Sequence, residues 1–422
     1  MKNFKKSLWT FLILFIVSFN LVWAEDIPNI IGTQAIVYDY ETGEIIYTKD
    51  IDSKAYPASI TKLMTALLLA ENFNKNDMLT YTQSAADQPA YSYGKNVEQV
   101  LVGDKMSAEN AMYALLLYSG NDIAYMIADN VSGDSSKFVD AMNAKAQELG
   151  MNDTTFVNPN GLDDNTDEHL TTPYDIALMT KAALGNKWIA DTMATKKVTV
   201  STQNSIPREI ENRNSNLLDD TDKDGCIGGK TGYTTKAGRC LTAIYHVKIA
   251  EEKYRTLIGV VMNSEYNYPE DTIVFEDMNT LMEYGFNKEK DILKRNGDIV
   301  KSITASYKAI PFIGPNKTID IPLIINEDIK YYKTEIEPEI DVKINTFDIW
   351  KIDESTPLGT ITVKLKDYSK EYKLYSNISS SKLLKDNIII YVGLGIGVLV
   401  LIILLVVIFK KIFGGKKRRY RY

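Results

Sequence analysis

The sequence predicts an α+β domain over residues 25–290, a small all-β domain over 291–375 and one transmembrane helix near the C-terminus. Three observations support this architecture. Strand patterns flank a long block of helical periodicity in the first 290 residues. Period-two runs separated by Pro, Gly and Asn follow it. An uncharged apolar run then extends from Ile388 to Phe409, roughly 33 Å at the helical rise and long enough to cross a bilayer core.

The two ends of the chain indicate export and a membrane anchor. An apolar run from Leu8 to Trp23 follows a basic head and ends at small residues suited to cleavage, so residues 1–24 are expected to be a signal peptide. An uncleaved anchor is the alternative. The basic tail, 410–422, is expected in the cytoplasm and the domains outside, by the positive-inside rule. Gly393 and Gly397 form a weak homodimer signal that lipid packing explains equally well.

Composition excludes several classes of function. The net charge of −7 argues against a nucleic-acid partner. The two cysteines, Cys226 and Cys240, fall in one predicted hairpin, where a disulfide and two separate thiols are both compatible with the sequence. Neither His169 nor His246 lies in a recognisable Ser-His-Asp setting. Because zinc-ligand spacing and phosphate-binding glycine loops are also missing from the sequence, no cofactor or metal is expected.

Periodicity and turn residues place the elements of the chain. A polar linker over 376–387 is expected before the span. The expected elements of the first domain are a hairpin over 33–47, a helix over 57–71, strand and surface loop over 79–94, helices beginning at 107, 123, 136 and 173, adjacent antiparallel strands over 239–247 and 254–262, and a closing helix over 276–286.

The helix that begins at Ser59 is the first candidate for a working centre. Residues 57–71 are apolar on nearly every side, as in a helix buried in a domain core. Ser59 and Lys62 share one helix face, and a lysine there needs a partner or a task, because an unpaired buried charge is costly. The pair is either a serine nucleophile with a lysine base, or a helix cap beside a solvent-directed lysine. The same spacing recurs at Ser379 and Lys382, where no chemistry is expected.

Two further stretches point to the same chemistry. Residues 119–121, Ser-Gly-Asn, form a short break between two predicted helices, where a hydroxyl and an amide can face a cleft. An ordinary helix–helix turn would use the same residue types. Glycines surround Lys230 and Thr231 in a predicted strand, which indicates a close approach by another backbone or by a ligand. A hairpin turn is the alternative there.

The three motifs together, Ser-x-x-Lys at Ser59, Ser-x-Asn at Ser119 and Lys-Thr-Gly at Lys230, resemble the signature of penicillin-binding proteins and serine β-lactamases. The chain most resembles the low-molecular-mass D-alanyl-D-alanine carboxypeptidases over residues 30–375. The resemblance implies a β-lactamase/penicillin-binding-protein-like catalytic domain without a cofactor. It also implies a peptidoglycan stem peptide as substrate and β-lactam antibiotics as covalent inhibitors. The matching stretches are 57–62, 119–122, 158–162 and 230–234.

The resemblance implies a catalytic role for each matched polar residue. Ser59 would attack the carbonyl between two D-alanines and Lys62 would accept its proton, while Ser119, Asn121 and Lys230 complete the polar network. Lys62 can act as a base only when neutral. Burial and the like charge of Lys230 would lower the Lys62 pKa from about 10.4, so we expect a neutral Lys62 beside a charged Lys230.

The third motif is expected to bind substrate. Thr231 would help to hold the terminal carboxylate, next to Lys230 and Gly232. The backbone N–H groups of Ser59 and Tyr233 would form the oxyanion hole, where two oriented donors stabilise the charge that develops in the transition state.

Two features depart from the family pattern. Many members carry an arginine before the closing helix for the substrate carboxylate, and Val274 occupies that place here. Arg239 or Arg255 is expected to substitute. Many relatives attach to the membrane through an amphipathic surface helix, whereas this sequence predicts a span.

Three alternative functions remain open. A D,D-endopeptidase or transpeptidase could use the same motifs, because they do not specify the acceptor. A β-lactamase is less favoured, because Glu168, the nearest candidate for a deacylating glutamate, lacks the Glu-x-x-x-Asn context. A non-catalytic wall-binding or β-lactam-sensing protein would be favoured by a broken motif, and all three motifs are intact.

Overall fold

The computed structural model describes residues 27–89, 91–218, 225–310 and 313–413. The expected signal peptide and residues 414–422 of the basic tail lie outside the described residues. The chain divides into two compact units. The first contains Asp52–Tyr245 and Gly259–Phe286, with the segment that ends at Ala35, and the second contains Ile36–Ile51, His246–Ile258 and the chain from Asn287 onward.

A block of helices forms most of the first unit. A 3-10 turn, Ala58–Thr61, leads into the helix Lys62–Asn72, which is buried from Lys62 through Leu69. This confirms the expected core helix. A π-helical turn, Ala114–Tyr118, directly follows the helix Ala108–Tyr113, which is one of the other helices of this block. Those helices are Gln83–Ala86, Tyr93–Asn96, Ala108–Tyr113, Asn121–Ser132, Ser135–Glu148, Pro173–Gly185, Lys187–Met193, Ser215–Leu218 and Ile273–Asn287.

Local caps begin two helices where the sequence predicts them. The Ser107 Oγ accepts a hydrogen bond from the Asn110 N–H at 3.2 Å, and the Thr172 Oγ1 accepts one from the Asp175 N–H at 3.1 Å. Each cap satisfies a backbone donor that the first helical turn leaves unpaired. Pro173 stands in the first turn, where its missing N–H removes no helical hydrogen bond.

The segment expected as strand and loop over 79–94 contains two short helices instead. After the strand Met78–Thr80, the helices Gln83–Ala86 and Tyr93–Asn96 follow. The second helix begins where the Asp122 carboxylate accepts hydrogen bonds from the N–H groups of Tyr93 and Gly94, both at 2.7 Å. A partner so distant in sequence cannot be read from local periodicity. The sequence prediction is therefore confirmed for the strand and wrong for the loop, which contains these two helices.

A five-stranded sheet completes the α+β arrangement. The strands expected over 239–247 and 254–262 are adjacent in this sheet, as predicted. The two strands of the expected N-terminal hairpin are also adjacent. Cys226–Thr234 pairs antiparallel with Gly238–Ala250, and Lys230 lies opposite Thr242. The sheet order is Ile45–Lys49, Gln34–Asp39, Lys253–Ser264, Gly238–Ala250, Cys226–Thr234. Two further two-stranded sheets pair Met78–Thr80 with Lys105–Ser107 and Lys197–Val200 with Arg208–Glu211.

The second unit is rich in β-strands, as the sequence predicts for residues 291–375. Alternate residues point into a small core formed by Ile321, Leu323, Ile361 and Leu374, among others. Asp291–Lys294 pairs with Ile329–Tyr331 in a separate two-stranded sheet. The main sheet has the order Ile299–Ile310, Ile313–Ile324, Tyr368–Ser376, Pro357–Leu365, Glu339–Ile344.

One helix of the described chain is long and apolar enough to cross a membrane. It covers Ile388–Phe413, 26 residues, and so extends past the predicted end at Phe409 through Lys410 and Lys411. The expected linker before it contains a further helix, Ser380–Asp386.

Candidate active site

Lys62 is buried and makes three hydrogen bonds at the start of its helix. Its Nζ contacts the Ser59 Oγ at 2.8 Å, the Asn121 Oδ1 at 2.9 Å and the Asn160 carbonyl oxygen at 2.8 Å. A lysine ammonium donates three hydrogen bonds, whereas the neutral amine donates two and accepts one. The neutral form can therefore keep Asn121 and Asn160 as acceptors while it receives the Ser59 hydroxyl proton.

The structure contradicts the alternative of a simple cap and a solvent-directed lysine. Ser59 lies inside the 3-10 turn Ala58–Thr61, whose N-cap, Pro57, makes no side-chain capping bond. The Lys62 side chain is fully buried. The pair is thus placed for chemistry with each other rather than for helix termination.

Lys230 organises the other side of the site. Only 2% of its surface is exposed, and its Nζ donates to the Ser119 Oγ at 3.0 Å and to the Thr231 carbonyl at 2.9 Å. Ser119 has φ +73, in the left-handed region that non-glycine residues seldom adopt, directly after the π-helical turn. The turn aims the Ser119 hydroxyl at Lys230, while Asn121 begins the next helix with its amide at Lys62.

All three motifs border one cleft of about 400 Å³. Lys62 and Lys230 lie beneath it and hold the polar side chains of its wall. The predicted site residues that line the cleft are Ser59, Ser119, Asn121, Thr231, Gly232 and Tyr233.

Two glycines allow other segments to approach the backbone beside Ser59. A Cβ on Gly232 would lie 3.0 Å from the Pro57 carbonyl oxygen and 3.1 Å from the Ser59 nitrogen. A Cβ on Gly161, which has φ +88, would lie 1.9 Å from the Ala58 carbonyl oxygen. The close approach expected around the Lys-Thr-Gly motif is confirmed, and the strand lies against the Ser59 backbone N–H.

Burial dominates the electrostatics of Lys62. Burial, and then the nearby Arg213 cation, lower the pKa of Lys62 from 10.5 to about 7, although the Asp122 carboxylate acts in the opposite direction. The amine is therefore partly neutral near pH 7, as a base requires. The expected lowering by burial is confirmed, and Arg213 adds to it. Lys62 and Lys230 also repel each other, which lowers the pKa of Lys230.

The pKa of Lys230 is also lowered, and the charged Lys230 expected from the sequence stays a prediction. Burial lowers the pKa of Lys230 well below 10.5, and the cations Lys62, Arg213 and Arg239 lower it further. Burial is the largest of these influences, and neither it nor the three cations could be read from the sequence. Arg213 and Arg239 both line the cleft and favour an anionic ligand there, since a bound carboxylate would offset their mutual repulsion.

Arg213 is the residue that sequence reasoning missed. Its guanidinium lines the cleft and lies over the rings of Tyr118 and Tyr91, 4.9 and 5.4 Å from their centroids. Burial lowers its pKa from the usual value. The one available signal was its place between Asn212 and Asn214, two asparagines that prove to be buried and hydrogen-bonded.

Of the two arginines expected to replace the missing family arginine, Arg239 alone lines the cleft. Its Nε donates to the Asp271 Oδ1 at 2.8 Å, and a second bond joins the same two side chains. Arg255 instead contacts the Asp39 Oδ2 at 2.8 Å and the Tyr332 hydroxyl at 2.7 Å. Val274, at the family position, is buried.

The two cysteines, His169 and Glu168 do not line the cleft. The two cysteines are not joined in a disulfide, and burial raises the pKa of Cys240 to about 11. His169 is buried, and its Nδ1 accepts a hydrogen bond from the Val157 N–H at 3.1 Å, which assigns the proton to Nε2, 2.8 Å from the Thr61 Oγ1. Glu168 is exposed and is not among the cleft-lining residues. Within the described ranges, no three acidic, His or Cys side chains are grouped to hold a metal ion.

A buried lysine hydrogen-bonded to a serine, in a cleft of an α+β domain, is the arrangement that activates a serine nucleophile in serine hydrolases with a lysine base. The chain matches the family profile of the Peptidase_S11 D-alanyl-D-alanine carboxypeptidases over residues 22–266. Since this match covers more than half of the sequence, the chain belongs to that family.

Individual relatives agree with this assignment. The chain is 31% identical to D-alanyl-D-alanine carboxypeptidase DacC of Escherichia coli, over 82% of this chain and 83% of that protein. It is 27% identical to DacF of Bacillus subtilis, over 82% of this chain and 77% of that protein. The solved structure of penicillin-binding protein D2 from Listeria monocytogenes, in its ampicillin-bound form, is 28% identical, with a TM-score of 0.53 over 62% of this chain and all of that one.

Proposed function

We propose that this protein is a serine-type D-alanyl-D-alanine carboxypeptidase that shortens peptidoglycan stem peptides and is inhibited by β-lactams. The observation that carries the proposal is the 2.8 Å contact between the Lys62 Nζ and the Ser59 Oγ. A serine hydroxyl is a weak nucleophile without an adjacent base, and the lowered Lys62 pKa of about 7 supplies one. Family membership supplies the substrate class.

The proposed reaction has two stages. Neutral Lys62 takes the Ser59 proton as the Oγ bonds to the carbonyl carbon between the two D-alanines. The peptide C–N bond then breaks, and the proton held by Lys62 passes to the leaving amine of the terminal D-alanine. A water molecule next attacks the ester on Ser59 and loses a proton to Lys62. The ester bond to the Ser59 Oγ then breaks, and Lys62 returns the proton to that oxygen. The shortened peptide leaves as a carboxylic acid, which ionises in water.

The backbone amides beside Ser59 are proposed to stabilise the oxyanion of both stages. The tight packing of Gly232 brings its strand to the Ser59 nitrogen, so that the N–H groups of Ser59 and Tyr233 can point to one oxygen. Two such donors contribute several kcal/mol to a transition state. The Lys230–Ser119 pair and the Asn121 amide are proposed to orient the peptide, because each borders the cleft or supports its wall.

We assign recognition of the terminal carboxylate to Arg213, with Thr231 and Arg239 as secondary contacts. Arg239 is already paired with Asp271. Arg213 is held by two tyrosine rings, which leave its edge N–H groups directed away from those faces. A guanidinium edge matches a carboxylate in a bidentate manner, so Arg213 is the better anchor.

The first test is the intact mass of the full chain after incubation with penicillin. A one-to-one adduct should form on the wild type and not on Ser59→Ala. Ser379→Ala is the matched control, because it changes the other Ser-x-x-Lys and should keep the adduct. Intact drug with a folded, unmodified wild type would refute catalysis and favour the wall-binding or β-lactam-sensing alternative. Destroyed drug without an adduct would indicate a β-lactamase.

A second measurement separates the carboxypeptidase from its relatives on the same scaffold. Release of D-alanine from a stem pentapeptide indicates a carboxypeptidase. Cleavage of a cross-linked dimer, or transfer to an added amine, with little free D-alanine, would indicate the D,D-endopeptidase or transpeptidase alternative. The motifs serve all three reactions, because each proceeds through the same acyl-enzyme.

We further propose a bacterial cell-membrane location with one span and both domains outside. The helix Ile388–Phe413 supports the anchor, and its orientation follows from the basic tail. The signal peptide, the domain boundary at 290 and a homodimer through Gly393 and Gly397 stay predictions.

A further inference from the structure

The spanning helix is held against one hairpin of the second unit. The Asn387 side-chain amide donates to the Tyr307 hydroxyl at 2.9 Å, just before the helix begins. One helical turn later the Tyr391 hydroxyl donates to the Ala309 carbonyl at 2.5 Å. Tyr307 and Ala309 belong to the strand Ile299–Ile310, which forms a hairpin with Ile313–Ile324.

These two contacts fix the direction of the hairpin relative to the helix. From Asn387 to Tyr391 the helix rises about 6 Å. From Tyr307 to Ala309 the strand advances by about 6.6 Å. The nearly equal steps show that strand and helix run side by side in the same direction. The end of the hairpin therefore extends along the span rather than away from it.

The depth of the contact follows from the length of the helix. A hydrocarbon core of about 30 Å needs about 20 helical residues. Counted back from Phe409, the last residue before Lys410, this number reaches Ile390. Tyr391 and its partner Ala309 then lie at the outer edge of the hydrocarbon. Ile310, one residue further along the strand, lies about 3 Å deeper.

The side chains at this level are those that membrane interfaces favour. The rings of Tyr307 and Trp350 pack edge to face, with centroids 5.9 Å apart, and the Tyr391 hydroxyl lies one turn along the helix. Tyrosine and tryptophan are enriched where the headgroups meet the hydrocarbon.

We propose that the end of the hairpin formed by Ile299–Ile310 and Ile313–Ile324 enters the outer interface of the lipid bilayer beside the span. The hairpin contacts phospholipid there, because it lies beside a helix that only lipid can surround at this depth. The second unit would thus contact the membrane through two elements, which limits its rotation about the anchor. The proposal rests on the proposed orientation of the span.

The test places a single tryptophan at each end of one strand in the full chain. All four tryptophans of the chain, Trp9, Trp23, Trp188 and Trp350, are replaced by Phe. Ile310→Trp is then compared with Ile299→Trp, because Ile299 is exposed and about 36 Å away along the strand. Each protein is reconstituted into phosphatidylglycerol–phosphatidylethanolamine vesicles with and without lipids brominated near the headgroup. The same chain without either added tryptophan supplies the background emission.

Bromine should quench and the bilayer should blue-shift the emission of Ile310→Trp, with neither effect for Ile299→Trp. Equal emission with and without bromine for Ile310→Trp would overturn the proposal. Two controls separate this failure from failure of the proposed function. Retention of the protein in vesicles at alkaline pH reports the anchor, and loss of that retention overturns the proposal together with the anchor. Penicillin acylation reports the fold and the active site of each variant.

Discussion

The rate of penicillin acylation should report the titration of Lys62. Only neutral Lys62 can accept the Ser59 proton, and burial with Arg213 lowers the pKa of Lys62 from 10.5 to about 7. That difference corresponds to about 5 kcal/mol against the protonated amine. The second-order acylation rate should therefore rise tenfold per pH unit below about pH 7 and level off above it. At pH 5 it should lie about 100-fold below the plateau.

Arg213→Gln should move this profile in a defined direction. Removing a cation near Lys62 makes the protonated amine less unfavourable, so the Lys62 pKa should rise and the midpoint should shift to higher pH. The acylation rate of the variant at pH 7 should therefore fall further below the variant's own plateau at high pH than the wild-type rate falls below its plateau. Arg295→Gln, which removes an exposed arginine of the second unit, is the matched control and should leave the midpoint unchanged.

Stopped-flow or quenched-flow acylation with a chromogenic β-lactam, from pH 5 to 10, measures both profiles. A rate that still rises tenfold per unit between pH 8 and 10 would show that Lys62 keeps its ordinary pKa near 10.5, which would refute the role assigned to burial. A midpoint unchanged in Arg213→Gln would refute the assigned electrostatic coupling, provided that the variant still forms the adduct.

Three further outcomes are expected. Lys62→Met should raise the free energy of unfolding at neutral pH relative to the wild type. The folded pKa of Lys62 lies below its unfolded value, so the wild type itself gains stability as pH rises from 7 to 10.5. Denaturant unfolding at pH 6 and pH 10 should therefore show a smaller difference between variant and wild type at the higher pH. Gly161→Ala should destabilise the protein by over about 1 kcal/mol more than Gly103→Ala, because both glycines have positive φ but only Gly161 would clash, and equal melting-temperature losses would contradict this. Arg213→Gln should raise the KM for a stem pentapeptide more than Arg239→Gln does at pH 9, whereas the reverse order in steady-state D-alanine release would assign the carboxylate to Arg239.

Features set by local geometry were predictable from the sequence. The three-residue spacing of Ser59 and Lys62 places both on one helical face whatever surrounds them, and the structure brings their side chains to 2.8 Å. The caps at Ser107 and Thr172 act on backbone donors only three residues away. The strand character of the second unit and the spanning helix follow likewise from periodicity and from an uninterrupted apolar run.

Features that depend on long-range contacts were decided by tertiary structure. Arg213 lines the cleft from the short connection between the strand Arg208–Glu211 and the helix Ser215–Leu218, and no periodicity marks such a residue. The helix at Tyr93 begins where Asp122 receives it, across a large separation in sequence. The contact between Tyr391 and Ala309 that directs the hairpin toward the membrane is of the same kind.

The pKa values of Lys62 and Lys230 show most clearly the difference between what residue order determines and what the fold determines. The sequence indicated that both Lys62 and Lys230 matter, since each belongs to a motif of fixed spacing. Their pKa values depend on how far water is excluded and on which charges lie nearby, and both are properties of the folded chain. Residue order alone determined which groups would meet in the cleft. Burial and nearby cations such as Arg213, which only the fold supplies, lower the pKa of both lysines.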